Sequence, residues 1–281
     1  MNYYETDPEF MERFEHFAFD EVVNEESRQL EPKTRYLVVL AALIGCQGEA
    51  AYREILPKAL EAGLSPVAVK ETVYQAVDYL GMGRMWQFLR AANEIFAENE
   101  IGLPLSAQAG TTMEDRLEKG VQVQTAIFGE QMKEAWKNGP INRWLADNCF
   151  GDYYTRTGLD LAQRELITLC FLAAQGGCEP QLIAHAKGNM NIGNDKDFLI
   201  SVVSQCLPYI GYPRSLNAIA AERGESLAQM ALKWILRDGI VTSVLIGASR
   251  PQQILENLKV LDSASFSEEE LKKIDENSLA L

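Results

Sequence analysis

The sequence predicts an all-α protein of two tandem helical repeats followed by a short α/β tail. Three observations carry this. Apolar residues recur at helical spacing through the first four-fifths of the chain. Strand-like alternation is nearly absent before residue 240. One residue pattern returns about 130 positions later.

Leu37, Leu40, Ala41 and Ile44 stand at i, i+3, i+4 and i+7, which puts them on one helix face. Ser65-Pro66 reads as a helix start, because Ser caps and Pro suits the first helical position. Leu166, Leu169, Cys170 and Ala173 repeat the first stripe, and Asn194 or Asp195 is expected to cap residues 198–207. Residues 34–41 parallel 163–170, and 17–21 echo 148–152. Gln75, Tyr79, Gly81 and Arg84 match Gln205, Tyr209, Gly211 and Arg214 at a constant offset of 130. Gly102, Pro104, Ser106 and Gly110 mark a linker. The expected organisation is a first repeat over residues 1–100, a linker over 101–112, a second repeat over 113–221 and a C-terminal segment over 222–281.

In that last segment Leu227, Met230, Ala231 and Trp234 form a helical stripe that ends at Asp238-Gly239. Residues 240–246 are β-branched and read as a short buried strand. A helix is expected from Pro251 to about residue 261, and a last one from Ser267, with Glu270 completing a capping box. A lone strand has unpaired edges. It must dock on the helical body, pair with another chain or stay poorly ordered.

At 281 residues, 47% hydrophobic and 23% charged, the chain has room for two or three domains and is no disordered polymer. Its 26 basic and 40 acidic residues give a net charge of −14, and the first 33 residues hold ten acids and three bases. Such a field repels phosphate backbones and anionic headgroups, so neither nucleic acid nor membrane is an expected partner. The acidic first ten residues have no apolar core and are not expected to be a signal peptide. The longest apolar run, 36–46, is about half the ~20 residues needed to span a bilayer. Cysteines at 46, 149, 170, 178 and 206 form no CxxC pair, which suits a reduced, cytoplasmic protein. The two histidines, His16 and His185, lie in no zinc-ligand spacing, so no metal is expected. His16 reads as a residue of a solvated helix face.

The second repeat holds the dense set of reactive side chains. Glu165 lies on its first core helix, and Cys178, Gln181 and His185 follow at spacings of three and four. If Glu179 or Pro180 opens a helix, Gln181 and His185 share a face, with Cys178 at the entrance. A carboxylate beside an imidazole holds its tautomer and suits proton transfer near neutral pH. A thiol at a helix start can have a lowered pKa.

Gly158-Leu159-Asp160, Arg164-Glu165-Leu166-Ile167-Thr168, Glu179-Pro180-Gln181-Leu182, His185, Gly193 and Tyr209-Ile210-Gly211-Tyr212-Pro213 resemble carboxymuconolactone decarboxylases, as does Phe150-Gly151-Asp152-Tyr153. The resemblance covers about residues 5–98 and 113–222 as two copies and is specific in the second. It implies the all-α fold shared with alkylhydroperoxidase D-like proteins, and a cofactor-independent decarboxylation of a small lactone acid. There Glu165 and His185 would be the acid/base pair, with Cys178 and Gln181 lining the pocket. Arg164 would hold a substrate carboxylate or serve as a surface salt-bridge residue. The family forms rings of subunits, so a two-repeat chain is expected to be a homo-oligomer, possible as a homotrimer with six repeats.

The redox relatives carry Glu, a CxxC dithiol and then His. Here Gln181 replaces the second sulfur, which disfavours two-cysteine peroxidase chemistry and leaves Cys178 to cycle with an external thiol or to fill space. In the first repeat Tyr36 replaces the acid, and Ile55 or Leu56 stands where His185 would be. That copy is read as structural, or as one wall of a composite site.

The tail resembles the end of an aldo-keto reductase. The resemblance rests on residues 226–232, 244–251 and Glu256-Asn257. It implies Ser249, Arg250, Gln253, Glu256 and Asn257 as candidates for contacting NADP(H). The family's catalytic residues belong to earlier barrel units that are absent, and one unit cannot close an eight-stranded barrel. The expected function is therefore a cofactor-independent decarboxylase or related lyase. A Cys178-centred thiol peroxidase or disulfide reductase and a non-catalytic oligomeric binding protein are the alternatives.

Overall fold

Several helices begin where the sequence supplies caps. In the computed structural model, which describes residues 3–222, 224–237, 239–261, 265–267 and 271, Glu31 accepts from the Thr34 amide and opens α2 (Pro32–Gly45), after α1 (Pro8–His16). Helix α3 (Glu49–Glu61) follows, and then α4 (Pro66–Leu80), whose Ala68 amide donates to Ser65 Oγ at 3.1 Å. Helix α5 (Met82–Glu98) completes the first repeat. Gly81 joins α4 to α5 at φ 79°, a conformation that favours glycine.

The second repeat runs α6 (Arg116–Phe128), α7 (Leu161–Gln175), α8 (Glu179–Asn191), α9 (Lys196–Ile210) and α10 (Tyr212–Glu222). Asp160 and Gln163 form a full capping box on α7. Of the two expected caps for α9, Asp195 takes the role, accepting from Phe198 N at 2.8 Å. A π-helical segment precedes the core helices in each repeat, at Phe17–Glu21 and at Leu145–Tyr153. These are the stretches whose sequences echo one another. Two glycines allow the second to lie against α6: a Cβ on Gly120 would come within 1.9 Å of the Ala146 carbonyl, and one on Gly151 within 2.3 Å of the Arg116 carbonyl. The linker crosses this segment, and Thr111 donates to the Gly151 carbonyl.

The two repeats share one apolar core. At its centre α2 meets α7, where a Cβ on Gly45 would stand 2.7 Å from Cβ of Ala174, its counterpart in the other repeat. Each repeat also lends a helix to the other: α4 packs on α7, and α9 on α2. The polar contacts are reciprocal as well. Arg164 donates to Gln75 Oε1 at 2.8 Å, and Arg35 to Gln205 Oε1 at 2.9 Å. No helix among the described residues is long and apolar enough to cross a membrane.

The chain divides into two compact units, Met1–Glu222 and Arg223–Leu281. In the second unit, Ser226 and Gln229 form the capping box of α11 (Leu227–Leu236), and α12 (Pro251–Leu258) runs into a 3-10 turn at Lys259–Leu261. Gln229 Nε2 donates to the Glu256 carbonyl at 2.6 Å and ties these helices. The strand expected at 240–246 is not formed, and no strand occurs among the described residues. A strand needs a ladder partner, and no second segment among the described residues supplies one. Leu245 is fully exposed. Asp238, Glu270 and most of the expected last helix lie outside the described residues.

Candidate active site

Glu165 is fully buried on α7, and its Oε2 lies 2.9 Å from Nδ1 of His185 on α8. The spacing from the helix start at Glu179 turns His185 inward, with 11% of its side chain exposed. Asn189, one turn on, donates to the backbone carbonyls of Glu165 (3.0 Å) and His185 (2.9 Å), locking the two helices together. Two rings stand edge-on to the imidazole: Tyr79 at 5.5 Å and Phe128 at 5.2 Å. Gly188 supplies the clearance, since a Cβ there would sit 2.9 Å from Glu165 Oε2 and 2.8 Å from Ile127 Cγ2.

The other carboxylate oxygen, Oε1, accepts from the Tyr154 hydroxyl at 2.7 Å. Tyr154 follows directly on the π-helical segment. With Glu165 as a carboxylate, it has only acceptors to offer, so Nδ1 of His185 carries the hydrogen. Nε2 is then the atom that accepts or delivers a proton, and it has no hydrogen-bond partner among the described residues.

Cys178 is the N-cap residue of α8, where its Sγ donates to the Leu172 carbonyl at 3.4 Å. Burial pushes its thiol up, and neighbouring Glu179 adds to this, the opposite of an activated thiolate. Gln181 is exposed, one turn ahead of His185. Arg164 is not on the surface and does not face the imidazole. It is fully buried, bonded to Glu71 Oε2 at 3.1 Å, to Gln75 and to the carbonyls of Arg156 and Thr157. Its position next to Glu165 puts it on the helix face that turns toward α4. Arg156 grips the same Glu71 carboxylate at 2.8 and 2.9 Å.

Sequence reasoning missed Tyr79, Tyr154, Phe128 and Asn189 as parts of the site. The one signal for Tyr79 was its recurrence as Tyr209, which marked the repeat without revealing a partner. In the first repeat, the common helix start of α3 and α8 puts buried Ile55 at the His185 position. His16 is solvated, between Asp20 and Glu21.

The carboxymuconolactone decarboxylase family profile matches residues 8–94 and 140–223, more than half of the chain. The chain belongs to the carboxymuconolactone decarboxylase family. It is 29% identical over 112 residues to the 4-carboxymuconolactone decarboxylase of Acinetobacter baylyi, covering 38% of this chain and 83% of that protein.

The aldo/keto reductase family profile matches residues 201–278, so the two family matches overlap on α9 and α10. The chain is 55% identical over 64 residues to the L-glyceraldehyde 3-phosphate reductases of Escherichia coli O157:H7 and strain K12, which is 23% of this chain. It spans only 18% of the length of either reductase. Within that segment, Ser249 N (2.8 Å), Ser249 Oγ (3.1 Å) and Arg250 N (3.1 Å) all donate to Gln253 Oε1. Ser249, Arg250 and Gln253 thus bond to one another in the turn that opens α12. Glu256 and Asn257 follow on α12.

Proposed function

We propose that this chain is a cofactor-independent carboxy-lyase that releases carbon dioxide from a small carboxylated lactone or keto acid, as its family membership suggests. The observation that carries the reading is the 2.9 Å contact between buried Glu165 and His185, which leaves Nε2 as the exchangeable position. The similarity to the Acinetobacter decarboxylase supports a substrate of the 4-carboxymuconolactone type.

In the proposed reaction the bond from carbon to carboxylate breaks, and its electron pair stays on the carbon, delocalised toward the neighbouring carbonyl. Carbon dioxide leaves. His185, protonated at both nitrogens, hands the Nε2 proton to the delocalised carbanion and regains one from water. Glu165 stabilises the imidazolium through Nδ1 and fixes its orientation. Gln181 and Cys178, at the start of α8, are placed to line the approach. The raised thiol of Cys178, with no second sulfur at residue 181, favours this reading over thiol peroxidase chemistry. No step passes through a nucleotide. Carbon dioxide release from 4-carboxymuconolactone by the purified chain tests the proposal, with Glu165→Gln expected to lose at least a hundredfold in kcat.

The proposal extends to assembly as a homotrimer presenting six repeats. Met82 and Trp86 on α5 are exposed, as are Tyr212 and Leu216 at the matching positions of α10. Apolar residues exposed at the same place in both repeats suit burial against further copies. A sedimentation mass of one chain would remove this part of the reading.

A further inference from the structure

The hydroxyls around Glu165 have a forced direction. Tyr154 has one proton, and it goes to Glu165 Oε1. Tyr154 therefore accepts in its two other contacts, from the Tyr79 hydroxyl at 2.7 Å and from Thr168 Oγ1 at 2.8 Å. Gln75 Nε2 in turn donates to Thr168 Oγ1 at 2.9 Å. Every donor in the cluster points toward the carboxylate, and two of them, Tyr79 and Gln75, come from the first repeat. Donors that feed a donor polarise it, so the Tyr154 bond to Glu165 is strengthened from behind.

Tyr79 acts at both ends of the pair. Its hydroxyl backs Tyr154, and its ring stands at 83° to the His185 imidazole. Its counterpart Tyr209 is half-buried beside Arg35, where the Glu165 equivalent is Tyr36, and its buried hydroxyl finds no acceptor among the described residues. The same residue type is thus coupled to a carboxylate in one half only.

We propose that Tyr79 is a positioning residue of the Glu165–His185 pair, acting through Tyr154, so that the first repeat completes the site of the second. Its kinetic consequence rests on the function proposed above; its structural consequence does not.

The chain has two histidines, so protein labelled with ¹⁵N-histidine gives two sets of imidazole signals, which His185→Ala assigns. Tyr79→Phe is expected to move the Nδ1–H resonance of His185 downfield, because Tyr154 donates less to Glu165 and the carboxylate then holds the imidazole proton more closely. Tyr154→Phe moves it further in the same direction, and Tyr209→Phe leaves it in place. With 4-carboxymuconolactone as probe, Tyr79→Phe lowers kcat about fivefold with KM unchanged. A His185 resonance unmoved in folded Tyr79→Phe overturns the proposal. If Tyr79→Phe does not fold, an unmoved resonance in Tyr154→Phe overturns it equally. A resonance that moves in protein without decarboxylase activity sustains this coupling and removes the proposed function instead.

Discussion

The hydroxyls of Tyr79 and Tyr154 lie 2.7 Å apart across the boundary between the two repeats. Tyr79 sits on a helix of the first repeat and Tyr154 just beyond the π-helical segment of the second. The contact exists because α4, besides packing on α2 and α5 of its own repeat, also packs on α7. The first copy, with Tyr36 and Ile55 where the second has Glu165 and His185, thus still reaches the Glu165–His185 pair through Tyr154.

Gly188 tests how closely the pair is held. Alanine there puts a methyl group 2.9 Å from Glu165 Oε2 and 3.1 Å from Phe128 Cε1, so one of them must shift. Gly188→Ala is expected to lower kcat at least tenfold while costing about 1–3 kcal/mol of stability in urea unfolding. Unchanged kcat would show that the carboxylate tolerates displacement.

Glu71 is the second link between the repeats. Its buried carboxylate is shared by Arg156 and the fully buried Arg164. Glu71→Gln removes the charge opposing Arg164 and is expected to destabilise the chain by about 3 kcal/mol or more. The urea midpoint of the variant measures this.

Asp78, on α4 beside Tyr79, has its carboxyl pushed up to about 8, first by burial and then by the charge of Asp152, against a hydrogen bond with Cys149. Its Oδ2 has no partner among the described residues. From the ordinary carboxyl range up to about 8 the folded chain keeps a proton that the unfolded chain gives up, so stability falls as pH rises through that window. Asp78→Asn stays neutral. Its stability relative to the native chain is expected to grow by on the order of 4 kcal/mol from about pH 5 to pH 9. Parallel melting profiles across that range would contradict it.

Trp86→Glu and Leu216→Glu place a charge at matched exposed positions of the two repeats. Each is expected to lower the sedimentation mass of the assembly without changing the helical circular dichroism of the chain.

Much of this architecture was legible in the sequence because it depends on local rules. Ser65, Asp195 and Glu179 start their helices where capping and proline chemistry place them, and the offset of 130 exposed the duplication. The Glu165–His185 contact followed from helical spacing joined to the family resemblance. What stayed hidden depends on which helix faces which. Arg164 reads as a substrate ligand or surface residue until α4 is seen to cover it with Glu71. Tyr79 and Gln75 read as repeat markers until the helices exchange between halves. Residues 240–246 have the composition of a strand, but composition cannot supply the partner that a ladder requires.

Decarboxylation of 4-carboxymuconolactone in D₂O by the native chain and by His185→Ala tests the central claim most directly. The account predicts carbon dioxide release with one deuterium taken up on carbon in the product, and a rate at least a hundredfold lower in the variant. Folded native protein that releases no carbon dioxide, or a His185→Ala chain that keeps at least half the native rate, would contradict it.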